Sequence, residues 1–303
     1  MKKSPTNTPA SVLARLKNLS ERDHLDFNFL LLRYIQERFL ARLAESSYVN
    51  KFVLKGGFLL LAYNIQKARP TKDVDFLGIN VSKDPKELEN LVLEIISIDA
   101  DDGVQFRTES VKSQIIKEDA DYEGVRIKIE ARIGTTRNII RLDFGFGDIV
   151  TPTPLRMDYP AILDRTSVKV LAYSKESIVA EKFEAIVKLS SFNSRLKDFY
   201  DIDFLATEFN FEGPLLQSAI QKTFARRETS VHSAAKLLQS NLGEQASLQN
   251  LWRAFFKRSH LVTKEDFNDI FQRIRAFVGR VIDAATAGRL MSLNWDRSTK
   301  EWH

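Results

Sequence analysis

Cysteine is missing from the 303 residues, which removes disulfides, thiol nucleophiles and thiolate zinc sites together. Histidine occurs only at His24, His232, His260 and His303, intervals that match no metal-ligand spacing. Any ion held by this chain must therefore be held mostly by oxygen. No apolar run approaches the ~20 residues a helix needs to cross a bilayer. The stretch MKKSPTNTPASVLARLKN lacks the apolar segment of a secretory signal. The expectation is a cytoplasmic protein without membrane contact. A G-x-x-x-x-G-K-[ST] loop is absent, which argues against a P-loop enzyme. The triplet DFG at 143–145 has neither a G-x-G-x-x-G loop nor an H-R-D to make it part of a protein kinase.

What is present is ordinary for a folded protein, with 44% hydrophobic and 28% charged residues. Forty-five Lys and Arg against 40 Asp and Glu give a net charge of +5, a mild excess that suits a polyanionic partner without requiring one.

Residues 8–46 read as helices, with Phe27, Leu30, Leu31, Tyr34, Ile35, Phe39 and Leu43 at helical spacing to cover a sheet. From residue 51 the pattern becomes strand KFVLK, helix GFLLLAYNIQKA, strand DVDFLGI and helix DPKELENLVLEIISI, capped by Asp84 with Pro85 at its first position. This alternation predicts a βαβ-like unit. VQFRTESVKSQII, GVRIKIEARIG and RNIIRLDFGF then alternate as antiparallel or mixed strands of the same sheet. Pro152, Pro154 and Pro160 mark a boundary, which divides the chain into a core at 1–150 and a mainly helical region at 151–303. In that region SKESIVAEKFEAIVKLSS, with Ser174 as N-cap, opens a series of amphipathic helices, and LNWDRSTKEWH is too short and polar to assign.

On a strand Asp73 and Asp75 point to one side while Val74 and Phe76 point to the other. Two carboxylates on one surface repel unless a cation compensates them, and a divalent ion would use both as hard ligands. D-x-D alone is weak evidence, since acidic pairs are common at exposed strand ends. Its surroundings strengthen it. Gly56 and Gly57 open a helix directly after a strand, where the backbone can approach a phosphate and the helix N-terminus offers free N–H groups. Arg69 and Thr71 precede the aspartates, placed to hold phosphate oxygens. Asp143, on a strand that can lie beside DVDF, is the candidate third carboxylate, and Asp148 is a weaker substitute. Farther on, Lys182 follows Glu181 in mid-helix, and Asp198 and Asp201 share a helical face. Spacing alone leaves that group open between a salt-bridged surface and a site.

The order FVLKGG, RPTKDVDF, a strand with LDFG, then IVAEKFEAIV and RLKDFYDI resembles the nucleotidyltransferase-like toxins of the AbiEii/AbiGii family, over about residues 27 to 205. The resemblance implies an α/β (α+β) fold: a polymerase β-like nucleotidyltransferase core with a mixed sheet, N-terminal helices and a helical C-terminal domain. It implies a metal-dependent transfer of a nucleotide from an NTP to an RNA acceptor such as the tRNA 3′ end, with Mg²⁺ or Mn²⁺ as cofactor, and a cognate antitoxin encoded as a transcriptional regulator. Carried onto this chain, Gly56, Gly57 and Lys182 would bind the nucleotide, joined by Arg69 and Thr71 from their place before the aspartates. Asp73, Asp75 and Asp143 would hold metal, with Asp143 alternatively acting as base. Lys182 and Asp198 would complete the catalytic set, with Asp201 as alternative to Asp198. Phe58 departs from the family, which has a small or hydroxylated residue there. Arg226, Arg227, Lys257 and Arg258 are candidates to hold RNA. Two other readings share these residues: nucleotidylation or phosphorylation of a protein, and a regulatory module that binds NTP without turnover.

Overall fold

The computed structural model describes residues 8–119, 122–163, 166–189, 195–259, 261 and 265–303; expectations on residues 1–7, on 190–194 and on His260 lie outside the described residues. The chain divides into two compact units.

The first unit comprises Met1–Ala62, Pro70–Gly147 and Leu155–Ala172. Its two opening helices, α1 (Pro9–Asp23) and α2 (Phe27–Glu45), begin at Thr8 and Asp26, whose side chains accept from Ser11 N and Phe29 N. Strand β1 (Phe52–Lys55) leads into α3 (Gly56–Tyr63), then β2 (Asp73–Gly78) and α4 (Pro85–Ile96). The Asp84 cap is present, accepting from Lys86 N and Glu87 N. The helix after β1 is shorter than the sequence suggested. Asn64 stops it, because its side-chain oxygen accepts from the N–H groups of Gln66 and Lys67 and offers the chain a turn instead of another helical turn.

Three further strands follow β3 (Gln105–Phe106): β4 (Lys112–Asp119), β5 (Tyr122–Ile133) and β6 (Thr136–Phe146). The expected single run over 104–116 is thus broken, by a 3-10 turn at Thr108–Ser110. A hairpin of β7 (Leu155–Tyr159) and β8 (Val168–Ala172) lies beyond residue 150 yet belongs to this unit, because β8 runs parallel to β1 with Val53 opposite Leu171.

The sheet order is β3-β5-β6-β2-β1-β8-β7, with β4 also on β5. The sheet is mixed, as expected, but the pair meant to form a βαβ unit is antiparallel, with Lys55 opposite Asp75. The chain leaves α3 at Tyr63 and enters β2 at Asp73, beside the end of β1 that it left, so the two strands run in opposite directions. The parallel neighbour of β2 is instead β6, reached through α4, β4 and β5.

Alternation then sorts the residues. Leu54, Val74, Phe76, Leu142, Phe144, Ile127 and Ile129 share the apolar face and are buried. Phe76 lies 5.5 Å from Phe144 ring to ring, and Phe39 of α2 lies 6.1 Å from Phe76. The opposite face carries Asp73, Asp75, Arg141, Asp143, Arg126 and Lys128. Helix α2 is more deeply buried than an amphipathic cover requires, and its buried Arg42 is held by both oxygens of Asp102 at 2.7 and 3.2 Å.

The second unit comprises Tyr63–Arg69, Asp148–Pro154 and Tyr173–His303. Its helices are α5 (Lys175–Leu189), α6 (Leu196–Glu208), α7 (Gly213–Arg226), α8 (Val231–Gln239), α9 (Ala246–Ser259) and α10 (Phe267–Thr286). Ser174 does precede α5 as expected, its hydroxyl accepting from Ser177 N at 3.1 Å. The C-terminal residues left unassigned form β10 (Asn294–Asp296) and β11 (Glu301–Trp302), which join β9 (Phe211–Glu212) in a small sheet. Trp295 and Trp302 anchor it on Phe277 of α10 at 5.0 and 6.0 Å. No helix among the described residues is long and apolar enough to cross a membrane.

Candidate active site

Register brings the acidic residues of the first unit together. Asp75 on β2 faces Asp143 on β6, and Asp73 stands two residues along on the same face. The next strand sets Arg126 opposite Asp143. One row across the sheet therefore reads Lys55, Asp75, Asp143, Arg126, and the adjacent row reads Asp73, Arg141, Lys128. Both rows mix acids with bases, as close carboxylates require.

Arg126 is the residue sequence reasoning missed. Its Nε and Nη2 donate to the two oxygens of Asp143 at 2.7 and 2.6 Å, and Nη2 lies 3.6 Å from Asp73. The hydrogen bonds to Asp143 push its already high pKa further up. Partial burial works against this, and the negative charges of Asp143, Asp73 and Asp75 reinforce it. Arg141 Nη1 stands 3.5 Å from Asp73 Oδ1, an oxygen that accepts no hydrogen bond. A partial signal existed in GVRIKIEARI, whose alternation puts Arg126 and Lys128 on one face, but only the ladder to β6 sets Arg126 against Asp143.

The helix N-terminus adjoins this row. Gly56 adopts φ +70°, and a Cβ built on it would lie 2.0 Å from Asp75 Oδ2. Only glycine permits both that conformation and that approach. Gly56→Ala is therefore expected to cost at least about 1–2 kcal/mol in urea unfolding, from the left-handed backbone alone. Gly279→Ala on α10, where an added Cβ meets nothing within 4 Å, is expected to stabilise by about 0.5–1 kcal/mol. Gly57 follows within α3 and is buried. Thr71 Oγ1 donates to Asp73 O at 3.4 Å just before the strand. Phe58 is wholly buried, its ring stacked 5.1 Å from Tyr159, so the side chain at this position belongs to the core.

The second unit holds the other sequence candidates in one ion network. Lys182 Nζ reaches Asp198 Oδ1 at 2.9 Å and Asp201 Oδ2 at 2.7 Å. Arg69 grips both oxygens of Asp201 at 3.0 and 2.9 Å. Burial pushes the Lys182 ammonium down, but Asp198 and Asp201 outweigh it and hold the group above its ordinary range, against opposition from Arg69. Burial likewise pushes the Asp198 carboxyl up, and Lys182 with Lys197 overcomes it to hold the group below its ordinary range. Asp198 Oδ2 is buried and accepts no hydrogen bond. Of the basic residues considered for RNA, Arg226, Lys257 and Arg258 are exposed. Arg227 is not available in the same way: its side chain is 8% exposed and paired with Glu184, Asp148 and Glu181. Asp148, the weaker substitute for Asp143, is thereby committed to this second-unit network.

The residues of the first unit suit a divalent ion in chemistry: hard oxygen donors share one face, one oxygen of Asp73 lacks a hydrogen bond, and Gly56 keeps side-chain bulk away from Asp75. In arrangement they stop short. No three acidic or histidine side chains among the described residues are grouped to hold an ion, and Asp143 has both oxygens engaged by Arg126.

Residues 38–273 match the family described as "Nucleotidyl transferase AbiEii toxin, Type IV TA system". Among solved structures, the chain is similar to a candidate nucleotidyltransferase from H. pylori at 15% identity and a TM-score of 0.50, over 88% of this chain and 100% of that one. This likeness shows the fold. Another similar structure is the Helicobacter pylori protein JHP933, at 16% identity and a TM-score of 0.45 over 87% and 98% of the two chains. Among curated proteins none matches the chain in sequence.

Proposed function

Because the chain belongs to the AbiEii family of nucleotidyl transferase toxins of type IV toxin–antitoxin systems, we propose that it transfers a nucleoside monophosphate from an NTP to an RNA acceptor, the 3′ end of tRNA. The observation that carries this reading is the row in which Asp75 and Asp143 are register partners and Asp73 lies beside them, with the start of α3 against Asp75. Phosphoryl transfer asks a protein to position groups and neutralise charge more than to form covalent bonds, and this row supplies both means.

A divalent ion, Mg²⁺ or Mn²⁺, supplies activation of the attacking oxygen and neutralisation of the leaving phosphates when bound. Asp73 and Asp75 would hold it, joined by Asp143. The N–H groups at Gly56 and Gly57, at the start of α3, are assigned to the triphosphate, with the Thr71 hydroxyl nearby on the chain. Lys182 and Arg69 are assigned to phosphate charge, and Asp198 and Asp201 to holding those two cations in fixed positions. RNA is assigned to exposed basic residues of the helical unit, Arg226, Lys257 and Arg258. Family membership brings a cognate antitoxin as partner.

Each of the four α-³²P-labelled NTPs, incubated with tRNA, Mg²⁺ and the protein, tests the reading. Label on tRNA from one or more of them supports it. Label on protein would instead show nucleotidylation of a polypeptide. Tight NTP binding with no transfer to either would make the chain a nucleotide-binding regulator.

A further inference from the structure

Arg126 stands where compensation of the carboxylates is most needed. Its guanidinium takes both oxygens of Asp143 and lies 3.6 Å from Asp73, so one side chain bridges two of the three acids on this face. The third, Asp75, is the register partner of Asp143 and contributes to the field that keeps Arg126 charged. Arg141 is no equivalent, since it meets Asp73 at 3.5 Å and leaves that oxygen without a hydrogen bond. With Arg126 in place, both oxygens of Asp143 already face a cation, and no three acidic ligands are grouped among the described residues.

The pair is also built to be exchanged. The Arg126 side chain is 26% exposed, against 8% for Asp143. Arginine rotates about several single bonds, so the guanidinium can turn toward solvent while its strand stays fixed. An ion pair partly open to water is held weakly compared with a buried one. The planar fork also matches phosphate as well as carboxylate, so a displaced Arg126 has a ready alternative partner in a bound triphosphate.

We infer that Arg126 is an internal counter-ion, occupying the carboxylate row in the nucleotide-free protein and leaving Asp143 when a divalent ion and nucleotide arrive. The inference rests on the nucleotidyltransferase reading of this row. It makes Arg126 a positioning residue that competes with the ion, so removing it strengthens metal binding while removing an aspartate weakens it.

Mn²⁺ titration without nucleotide, followed by the loss of the free-ion electron paramagnetic resonance signal, tests this on the full chain. Arg126→Gln is expected to bind Mn²⁺ about two- to fivefold more tightly than the unsubstituted protein, the size of change that loss of one competing, partly exposed ion pair allows. Asp75→Asn is expected to abolish binding. Thermal melts of Arg126→Gln should show a lowered Tm without metal that saturating Mn²⁺ restores. If Arg126→Gln proves poorly folded, Arg126→Lys carries the test, because it keeps the charge but loses the two-pronged grip, and a smaller gain in the same direction is expected. Equal or weaker Mn²⁺ binding by both variants, with Asp75→Asn still abolishing it, would overturn the counter-ion and leave the metal site standing. A lowered Tm with no Mn²⁺ rescue would reduce Arg126 to a structural salt bridge. Absence of Mn²⁺ binding to every variant, with or without NTP, would overturn both the counter-ion and the metal-site reading.

Discussion

Asp75→Asn is expected to leave the circular dichroism spectrum unchanged and to lower transfer of labelled nucleotide to the acceptor by about 10²–10³-fold, the range for removing one positioned electrostatic group from a transition state. The substitution is nearly isosteric, so it alters charge rather than packing. Asp75 occupies the middle of the row: Asp143 is its partner on β6, Lys55 its partner on β1, and Gly56 lies against its carboxylate. Asp73→Asn is expected to show a loss in the same range. Transfer at the unsubstituted rate by Asp75→Asn would remove this row from the reaction.

Lys182→Met is expected to destabilise the protein by about 3–5 kcal/mol in urea unfolding, because deleting one partner leaves a buried charge uncompensated. The orphan is Asp198. Asp201 keeps the two-pronged grip of Arg69, whereas Asp198 already has one buried oxygen without a hydrogen bond. The pH dependence follows from the direction of each shift. Asp198 is held below its ordinary 3.8, so the stability it contributes is present above pH 3.8 and lost as pH falls through its lower folded value. Lys182 is held above its ordinary 10.5, so its contribution is present below pH 10.5 and lost as pH rises through the higher folded value. The gap between the variant and the unsubstituted protein is therefore expected to be widest between those limits and to close as pH falls below 3.8. A gap that stays constant into acid would show that Asp198 is not the group left exposed.

Much of the candidate site was legible because its motifs are local. Gly56 and Gly57 after an apolar strand, Asp73 and Asp75 one residue apart, and Asp198 three residues before Asp201 each express a period of strand or helix that the sequence carries directly. Asp143 was legible as an acid on a strand, and its pairing opposite Asp75 agreed with the expectation that the two strands lie side by side. Less legible was how the candidates divide. Arg69, read as a phosphate ligand from its place in the loop before β2, is held by Asp201 from 132 residues away in sequence. Arg227, read as a candidate to hold RNA, is enclosed by three carboxylates. Phe58 reads as a replaced ligand in sequence and is a core residue in the fold. In each case the deciding partner is distant along the chain, and charge or aromatic character alone does not say which side chains it will meet.

By itself the sequence determined most of the helices and the face on which Asp73, Asp75 and Arg126 lie, since alternation and capping depend on near neighbours. It limited the chemistry too: with no cysteine and no spaced histidines, any metal ion would be held mostly by oxygen. Only the tertiary structure decided that β1 and β2 run antiparallel, that β6 inserts beside β2 in parallel, and that Arg126 lies across from Asp143. The reason is that register is fixed by backbone hydrogen bonds between separate strands, 17 residues apart for Arg126 and Asp143 and 68 for Asp75 and Asp143. A shift of one residue would turn Arg126 to the other face with no change in its local sequence.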